Sequence, residues 1–300
     1  MALQPLSSDL VGVEFAPIEF SWNKRDAIIY ALGVGCRPDG ELDFVYERKG
    51  PKVLPTYAVI PGMNALVGLA GVVELDFARL LHGEQGITLH RDLPPKANIK
   101  LEGKVVEVWD KEKSAVVGVE GVASDDDGPM FSVYTSLVML GQGGFGGERG
   151  PATSDEHETP EREPDVVTTL EVRPEQAAIY RLSGDSNPMH IDPNFATKAG
   201  FDGPFLHGLC TFGFVGRAVL GGLCEGDVSR FGSLRGRFAD QVWPGDEITT
   251  KQWFDGEGGA ILQVSTDRGI DVLTHASATL RSAANEEKAK SVRNGDGAGS

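Results

Sequence analysis

The sequence predicts an α+β fold in which one unit, an antiparallel sheet wrapped around a central helix, occurs twice. Three observations predict it. The two halves are self-similar at a shift of 150 residues: "RDAIIYALGVG" lines up with "EQAAIYRLSGD", so that Tyr30 matches Tyr180 and Leu32 matches Leu182. Further on, Pro94 of "DLPPKANI" meets Pro244 of "QVWPGDEI", and "SVYTSLVML" aligns with "VLTHASATL" at a smaller shift. Second, "FLHGLCTFGFVGRAVLGGL" is apolar on nearly every face, the mark of a helix buried all round. Third, β-branched and alternating segments follow the central helix in each half, and a curved antiparallel sheet built from them would cover it.

Each half has the same element order. A strand ("VEFAPIEFSW"; "VVTTLEV") leads to a short amphipathic helix and a loop. The more apolar helix comes next, then three or four strands, among them "ANIKLEGKVVEVW", "SAVVGVEGVA", "DEITTKQWF" and "AILQVSTD". A helix wrapped in this way is the hot-dog arrangement, and two of them side by side would bury their unwrapped faces. Glycines 208, 213 and 216 of the second central helix let neighbouring backbone approach, at some cost in helix propensity. The first central helix carries Pro61, which removes a donor and crowds the preceding turn, so it should be shorter or begin later.

Residues 141–164 read as a flexible linker, because glycine has no backbone preference and the Glu/Pro/Thr mix has too little apolar surface to fold. Residues 285–300 read as a disordered tail. The expected units are therefore two repeats, 1–140 and 165–284.

Composition bounds the function. The hydrophobic fraction is 40% and the charged fraction 24%, as in soluble globular proteins. A net charge of −16, from 28 basic and 44 acidic residues, argues against a nucleic-acid partner, which needs a basic face. A small phosphorylated ligand needs only two or three local cations and stays open. Cys36, Cys210 and Cys224 have no metal-type spacing and are expected to be reduced and buried. The N-terminus has no basic-then-apolar leader, no apolar run is long enough to span a membrane, and the C-terminus has no peroxisomal address. The expectation is a cytoplasmic protein with no membrane partner.

The chemistry concentrates in "SGDSNPMHID", residues 183–192. As a plain loop, this is an Asx-type turn at Asn187-Pro188. As a metal site, His190-x-Asp192 with Asp185 lacks a third ligand nearby, His207 being the one candidate. As an acid/base site, Asp185 and His190 supply the two ionisable groups that adding or removing water requires, and Asn187 can hold the water. A helix start follows at "FLHGLCTFGFVG", where unpaired N–H groups can stabilise an oxyanion and Gly208 lets a ligand oxygen approach. At the shift of 150, Asp185 faces Gly35 and His190 faces Gly40, so only the second repeat carries the site.

"YRLSGDSNPMHIDPNFATKAGFDGPFLHGLCTFGF" resembles the signature of the type 2, (R)-specific enoyl-CoA hydratases of the MaoC-like dehydratase family. The likeness extends through "FSWNKRDAIIYALGVG", "YERKGPKVLPTYAVIPG", "LHGEQGITLHRDLPP" and "LRGRFADQVWPGDEI". The resemblance implies a double hot-dog, with two antiparallel sheets each wrapped around a central helix. It also implies a homodimer that hydrates trans-2-enoyl-CoA to (R)-3-hydroxyacyl-CoA in fatty-acid metabolism such as β-oxidation. By the same resemblance Asp185 and His190 are the acid/base pair, Asn187 orients the water, and the Gly208 amide binds the thioester oxygen. Phe238 lies along the thioester, and His82-Gly83 of the "HGEQ" turn and Lys111 of "VWDK" lie near the ligand. Arg235 and Arg237 are candidates for the CoA phosphates on chemical grounds; surface ion pairing explains them as well.

No metal or redox cofactor is expected, because the thioester is itself the electron sink, and the CoA belongs to the substrate. Dehydration of (R)-3-hydroxyacyl thioesters in fatty-acid or polyketide synthesis, thioester hydrolysis and simple acyl binding are the alternatives. An apolar tunnel left by a shortened first helix would admit medium or long acyl chains.

Overall fold

Residues 97–110 show how the sheet arises: buried and exposed side chains alternate along "ANIKLEGKVVEVWD", which gives one wet face and one face for the core. The computed structural model describes residues 3–74, 79–151 and 159–281; the expected tail lies outside them.

The first repeat runs β1 (Ile18–Trp22), α1 (Lys24–Gly33), α2 (Pro38–Val45), α3 (Val59–Gly62), α4 (Asn64–Ala70), β2 (Leu80–Leu89), β3 (Ala97–Asp110), β4 (Ser114–Asp125) and β5 (Gly128–Leu140). The second runs β6 (Val166–Glu171), α5 (Gln176–Tyr180), α6 (Pro193–Lys198), α7 (Gly208–Gly221), β7 (Phe231–Phe238), β8 (Glu247–Phe254), β9 (Gly259–Thr266) and β10 (Asp271–Leu280).

Four strands follow each central helix, as the sequence leads one to expect. The sheets differ from the expectation in one respect. They are joined through the antiparallel pair β2–β7 into one ten-stranded sheet, in the order β1-β3-β4-β5-β2-β7-β10-β9-β8-β6. Pairing these two strands satisfies backbone groups that two separate sheets would leave as bare edges.

Eleven residues of α7 are buried, from Leu209 to Leu220. Arg217 interrupts this apolar surface and is held by three bonds: Nε and Nη2 to the Glu41 carboxylate at 2.9 and 2.7 Å, and Nη1 to the Val34 carbonyl at 2.9 Å. The helix glycines do admit close neighbours, but these are side chains rather than backbone: Val34 and Tyr30 at Gly213, Thr56 at Gly216 and Phe238 at Gly208.

The first central helix is shorter than the second, as expected. Its two pieces, α3 and α4, hold 4 and 7 residues against 14 in α7, and at the shift of 150 it begins one residue later. Pro61 accounts for the interruption. The run breaks at Met63 into α3 and α4, while Met63 keeps helical dihedrals and its N–H still reaches the Val59 carbonyl at 2.9 Å.

The described parts of the expected linker are anchored. The Asp110 carboxylate, at the end of β3, accepts the Gly144 and Gly146 N–H groups at 2.8 Å each, and Phe145 packs on the core. A buried carboxylate facing a glycine-rich loop explains why that loop is ordered where composition suggested otherwise. The three cysteines are free and buried. Among the described residues no helix is long and apolar enough to cross a membrane.

Candidate active site

The loop after α5 is shaped by its own polar residues. Gly184, at φ +130°, ends the helical run in a conformation that disfavours a side chain. Asp185 Oδ1 accepts the Asn187 N–H at 3.2 Å, and Asn187 Oδ1 accepts the Met189 N–H at 3.0 Å, opening one 3-10 turn over Pro188–His190. The Asx-turn reading is thus correct for the backbone. The turn also presents His190 back toward Asp185.

His190 lies edge-on against Phe205 at 5.0 Å, and its Nδ1 sits 2.8 Å from the Phe205 carbonyl oxygen. A carbonyl only accepts, so Nδ1 carries the proton and Nε2 holds a lone pair. His207, just before α7, stacks on His190 with ring centres 3.9 Å apart. Its Nε2 donates to the main-chain oxygen of Asp185 at 3.2 Å, leaving Nδ1 buried without a partner. One donor atom from each of Asp185, His190 and His207 falls within 4.8 Å of the others.

Burial sets the protonation of both rings. It lowers His190 below the usual histidine value, against the Phe205 carbonyl bond and the charge of Asp185. It takes His207 down to about 3, helped by neighbouring His190. Both imidazoles are therefore neutral at neutral pH.

Gly208 opens α7 beside this cluster. The first N–H groups of a helix have no carbonyl within it and carry the positive end of its dipole. Phe238, at the end of β7, lies against Gly208, since a Cβ there would stand 3.2 Å from its Cδ1 and Cε1. His82 packs edge-on against Phe238 at 4.8 Å. It comes from the first repeat. The "HGEQ" segment is not a turn but part of β2, where Gly83 is a bulge between the pairs His82–Leu137 and Glu84–Ser136. Burial lowers His82 to about 4, while Glu84, Gln85 and the charge of Asp185 oppose it, so it sits within electrostatic reach of the second repeat's loop.

Three of the expected residues are not brought to this cluster. Arg235 and Arg237 alternate with the inward-facing Leu234 and Phe238 and so leave β7 on the opposite face. There both guanidiniums are paired with Glu84, and Arg235 lies 4.4 Å over the Tyr134 ring. Ion pairing, the alternative to phosphate binding, is what their geometry displays. Lys111 stands at the same end of the sheet as His82 but three strands away, beyond the aligned residues Val108, Val117 and Leu137. Its Nζ donates to the Pro151 carbonyl at 3.2 Å. Conversely, the stacking of His207 on His190 and the Phe205 carbonyl were not predicted. The second is a backbone group and leaves no trace in residue type.

A cavity of about 150 Å³ adjoins the loop, lined by Phe20, Ser21, Asp26, Ile29, Tyr57, Ile60, Leu182 and Ser183. Both repeats contribute. It is partly polar, and Ile60 of the shortened first central helix lines it.

Two family models match, a MaoC-like domain over residues 155–273 and the MFE-2 hydratase 2 N-terminal domain over 20–141. The chain is 42% identical over 275 residues to 3-hydroxyacyl-thioester dehydratase Y of Mycobacterium tuberculosis, spanning 88% of this chain and 91% of that protein. It belongs to the MaoC-like hydratase 2 family. Another member, the enoyl-CoA hydratase ChsH3 of the same organism, is 36% identical over 262 residues, 84% of this chain and 91% of its own. Among solved structures, a MaoC-like dehydratase from Phytophthora capsici superposes with a TM-score of 0.82 at 30% identity, covering 93% of this chain and 99% of that one. The family's double hot-dog is the fold seen here.

Proposed function

We propose that the chain is an (R)-specific enoyl-CoA hydratase, which adds water to trans-2-enoyl-CoA to give (R)-3-hydroxyacyl-CoA. The observation that carries the reading is the convergence of Asp185 and a neutral His190 beside the N-terminus of α7, in a chain of this family.

The chemistry follows from that arrangement. Helix-end N–H groups at Gly208 hold the thioester oxygen as enolate-like charge develops, and such a donor lowers the barrier by about 3–4 kcal/mol. With Nδ1–H engaged by Phe205, His190 Nε2 accepts a proton from water. Asn187 has its oxygen engaged as a cap, so its amide N–H₂ is what remains to hold that water. The Asp185/His190 pair returns a proton to C2. Phe238 and His82-Gly83 flank the thioester from β7 and β2, and Lys111 serves a more distant part of the CoA. The acyl chain enters the cavity beside Ile60 and Leu182. A cavity of this size admits about a benzene's worth of carbon, so the reading favours chains whose buried part is about six carbons.

The reaction is reversible, and similarity to a protein named 3-hydroxyacyl-thioester dehydratase supports dehydration as a second physiological direction. The resemblance supports a homodimer, and the buried thiols support a reducing compartment such as the cytoplasm. The test is purified chain with trans-2-enoyl-CoA of several lengths and chiral analysis of the product. (R)-3-hydroxyacyl-CoA is expected. Release of free CoA thiol, or an (S) product, refutes the reading. Parallel assays with carrier-protein thioesters decide the carrier.

A further inference from the structure

We propose that Asp185, His190 and His207 form a binding site for a borderline first-row cation such as Zn²⁺ or Co²⁺, and that its occupation switches the acid/base pair off. Nothing in the sequence spacing supplies the third ligand, because His207 follows His190 at a distance of 17 residues. The docking of α7 against the loop supplies it.

The argument rests on which atoms are free. A metal-bound imidazole presents one nitrogen lone pair and donates its other N–H to a carbonyl or carboxylate, which fixes tautomer and orientation. Both rings here are already so arranged. His190 gives Nδ1–H to the Phe205 carbonyl and keeps Nε2. His207 gives Nε2–H to the Asp185 carbonyl and keeps Nδ1, a buried atom with no partner in a residue 1% exposed. Asp185 adds a carboxylate.

Two imidazoles and one carboxylate with an open fourth position suit Zn²⁺, whereas Mg²⁺ and Ca²⁺ require a shell of oxygens. One possible ligand atom from each of Asp185, His190 and His207 lies within 4.8 Å of those of the other two. Tetrahedral Zn²⁺, at about 2.0–2.1 Å from each ligand, places donors about 3.4 Å apart. Closing the site requires the three side chains to draw together around the cation. The cation then takes the lone pair and carboxylate that would handle the protons of water.

Only the effect on turnover rests on the hydratase reading; binding itself does not. The experiment titrates Zn²⁺ into the full chain after chelator treatment and follows imidazole ¹⁵N resonances of the unaltered protein. One Zn²⁺ per chain is expected, moving His190 Nε2 and His207 Nδ1 while the other four histidines stay in place. Co²⁺ in its place should give visible absorption of four- or five-coordinate intensity. His207→Asn should weaken Zn²⁺ by at least about tenfold, and Mg²⁺ should do nothing.

Failure to bind below about 1 mM, or binding that moves other histidines or disappears on replacing the cysteines by serine, overturns the proposal. A metal-free chain that hydrates enoyl thioesters but ignores Zn²⁺ overturns this proposal alone. A chain that binds Zn²⁺ at these residues but hydrates nothing overturns the hydratase reading alone.

Discussion

Gly208→Ala probes the α7 N-terminus directly, because it leaves the amide in place and adds one methyl group. That methyl would stand 3.2 Å from Cδ1 and Cε1 of Phe238, inside the ordinary carbon contact of about 3.5–4.0 Å. The ring must retreat by a few tenths of an ångström, and His82 packs against it at 4.8 Å. Overpacking of this kind costs about 1–3 kcal/mol, and the change from glycine to alanine in a helix returns up to about 1 kcal/mol. Net stability should therefore fall by no more than about 3 kcal/mol. Catalysis should suffer more. A carbonyl held off its donor loses a stabilisation of about 3–4 kcal/mol, or 10²–10³ in kcat, and a displacement of about 1 Å alone costs on the order of 10². The assay is loss of the conjugated enoyl absorbance under saturating substrate, beside a thermal melt. Adding Phe238→Leu relieves the crowding, yet kcat should stay low because the methyl still stands beside the amide. Wild-type kcat in Gly208→Ala, with only the melt displaced, would show that the thioester oxygen binds elsewhere.

The remaining predictions follow from the same geometry. Asp185→Asn and His190→Gln should each abolish turnover with circular dichroism unchanged; activity surviving in both removes the acid/base assignment. Arg217→Met strands the Glu41 carboxylate, and removing one partner of a buried pair costs about 3–5 kcal/mol. Glu41 keeps 29% of its side chain exposed, so the loss in urea unfolding should lie toward the lower figure, and no loss would mean the pair is idle. His82 and His207 titrate near 4 and 3 when folded, against 6.5 in the open chain, so the unfolded state binds protons first as pH falls. Stability should be level above pH 6.5 and decline by about 1.4 kcal/mol per unit for each ring once below it; equal unfolding free energies at pH 6.5 and 5 would contradict their burial. Calorimetric titration with an unreactive thioether analogue of an acyl-CoA should give one site per chain, and two would mean that the first repeat also binds.

What could be read from the sequence differs in kind from what could not. The apolar girth of "TFGFV" shows a wrapped helix, since no face is left for water. Asp185 and His190 could be paired because five residues and a proline turn hold them in one loop. His207 could not, because its place on His190 depends on where α7 docks. The bulge at Gly83 is equally silent, as a glycine between histidine and glutamate fits a turn or a strand. Arg235 and Arg237 are a different case. Strand periodicity puts them opposite Phe238, so assigning Phe238 to the cleft already placed both guanidiniums on the far face. Pro61 was legible as a shortening: the helix is interrupted at Met63 and is shorter than α7, while burial of Val59, Ile60 and Leu69 holds the helical path through the break.

The inequality of the repeats follows from what fills equivalent places. The 150 Å³ cavity meets Phe20 and Ser21 of β1, and a second cavity of about 320 Å³ meets Leu170 and Glu171, their counterparts at the shift of 150. The first adjoins Leu182 and Ser183, on the approach to Asp185. The second ends on Gly35 and Arg37, where the first repeat carries no carboxylate or imidazole to match Asp185 and His190. Its cations are engaged: Arg37 with Glu171 at 2.6 Å and Arg217 with Glu41 at 2.7 Å. In place of His207, Tyr57 lies edge-on between Trp22 and Tyr30 at 5.5 and 5.4 Å. Aromatic packing and ion pairs fill the places in the first repeat that correspond to Asp185, His190 and His207, and the first repeat contributes walls. His82, Tyr57 and Ile60 do this for the second repeat's site. The proposed site thus draws on both halves among the described residues, and its proposed acid/base groups come from one.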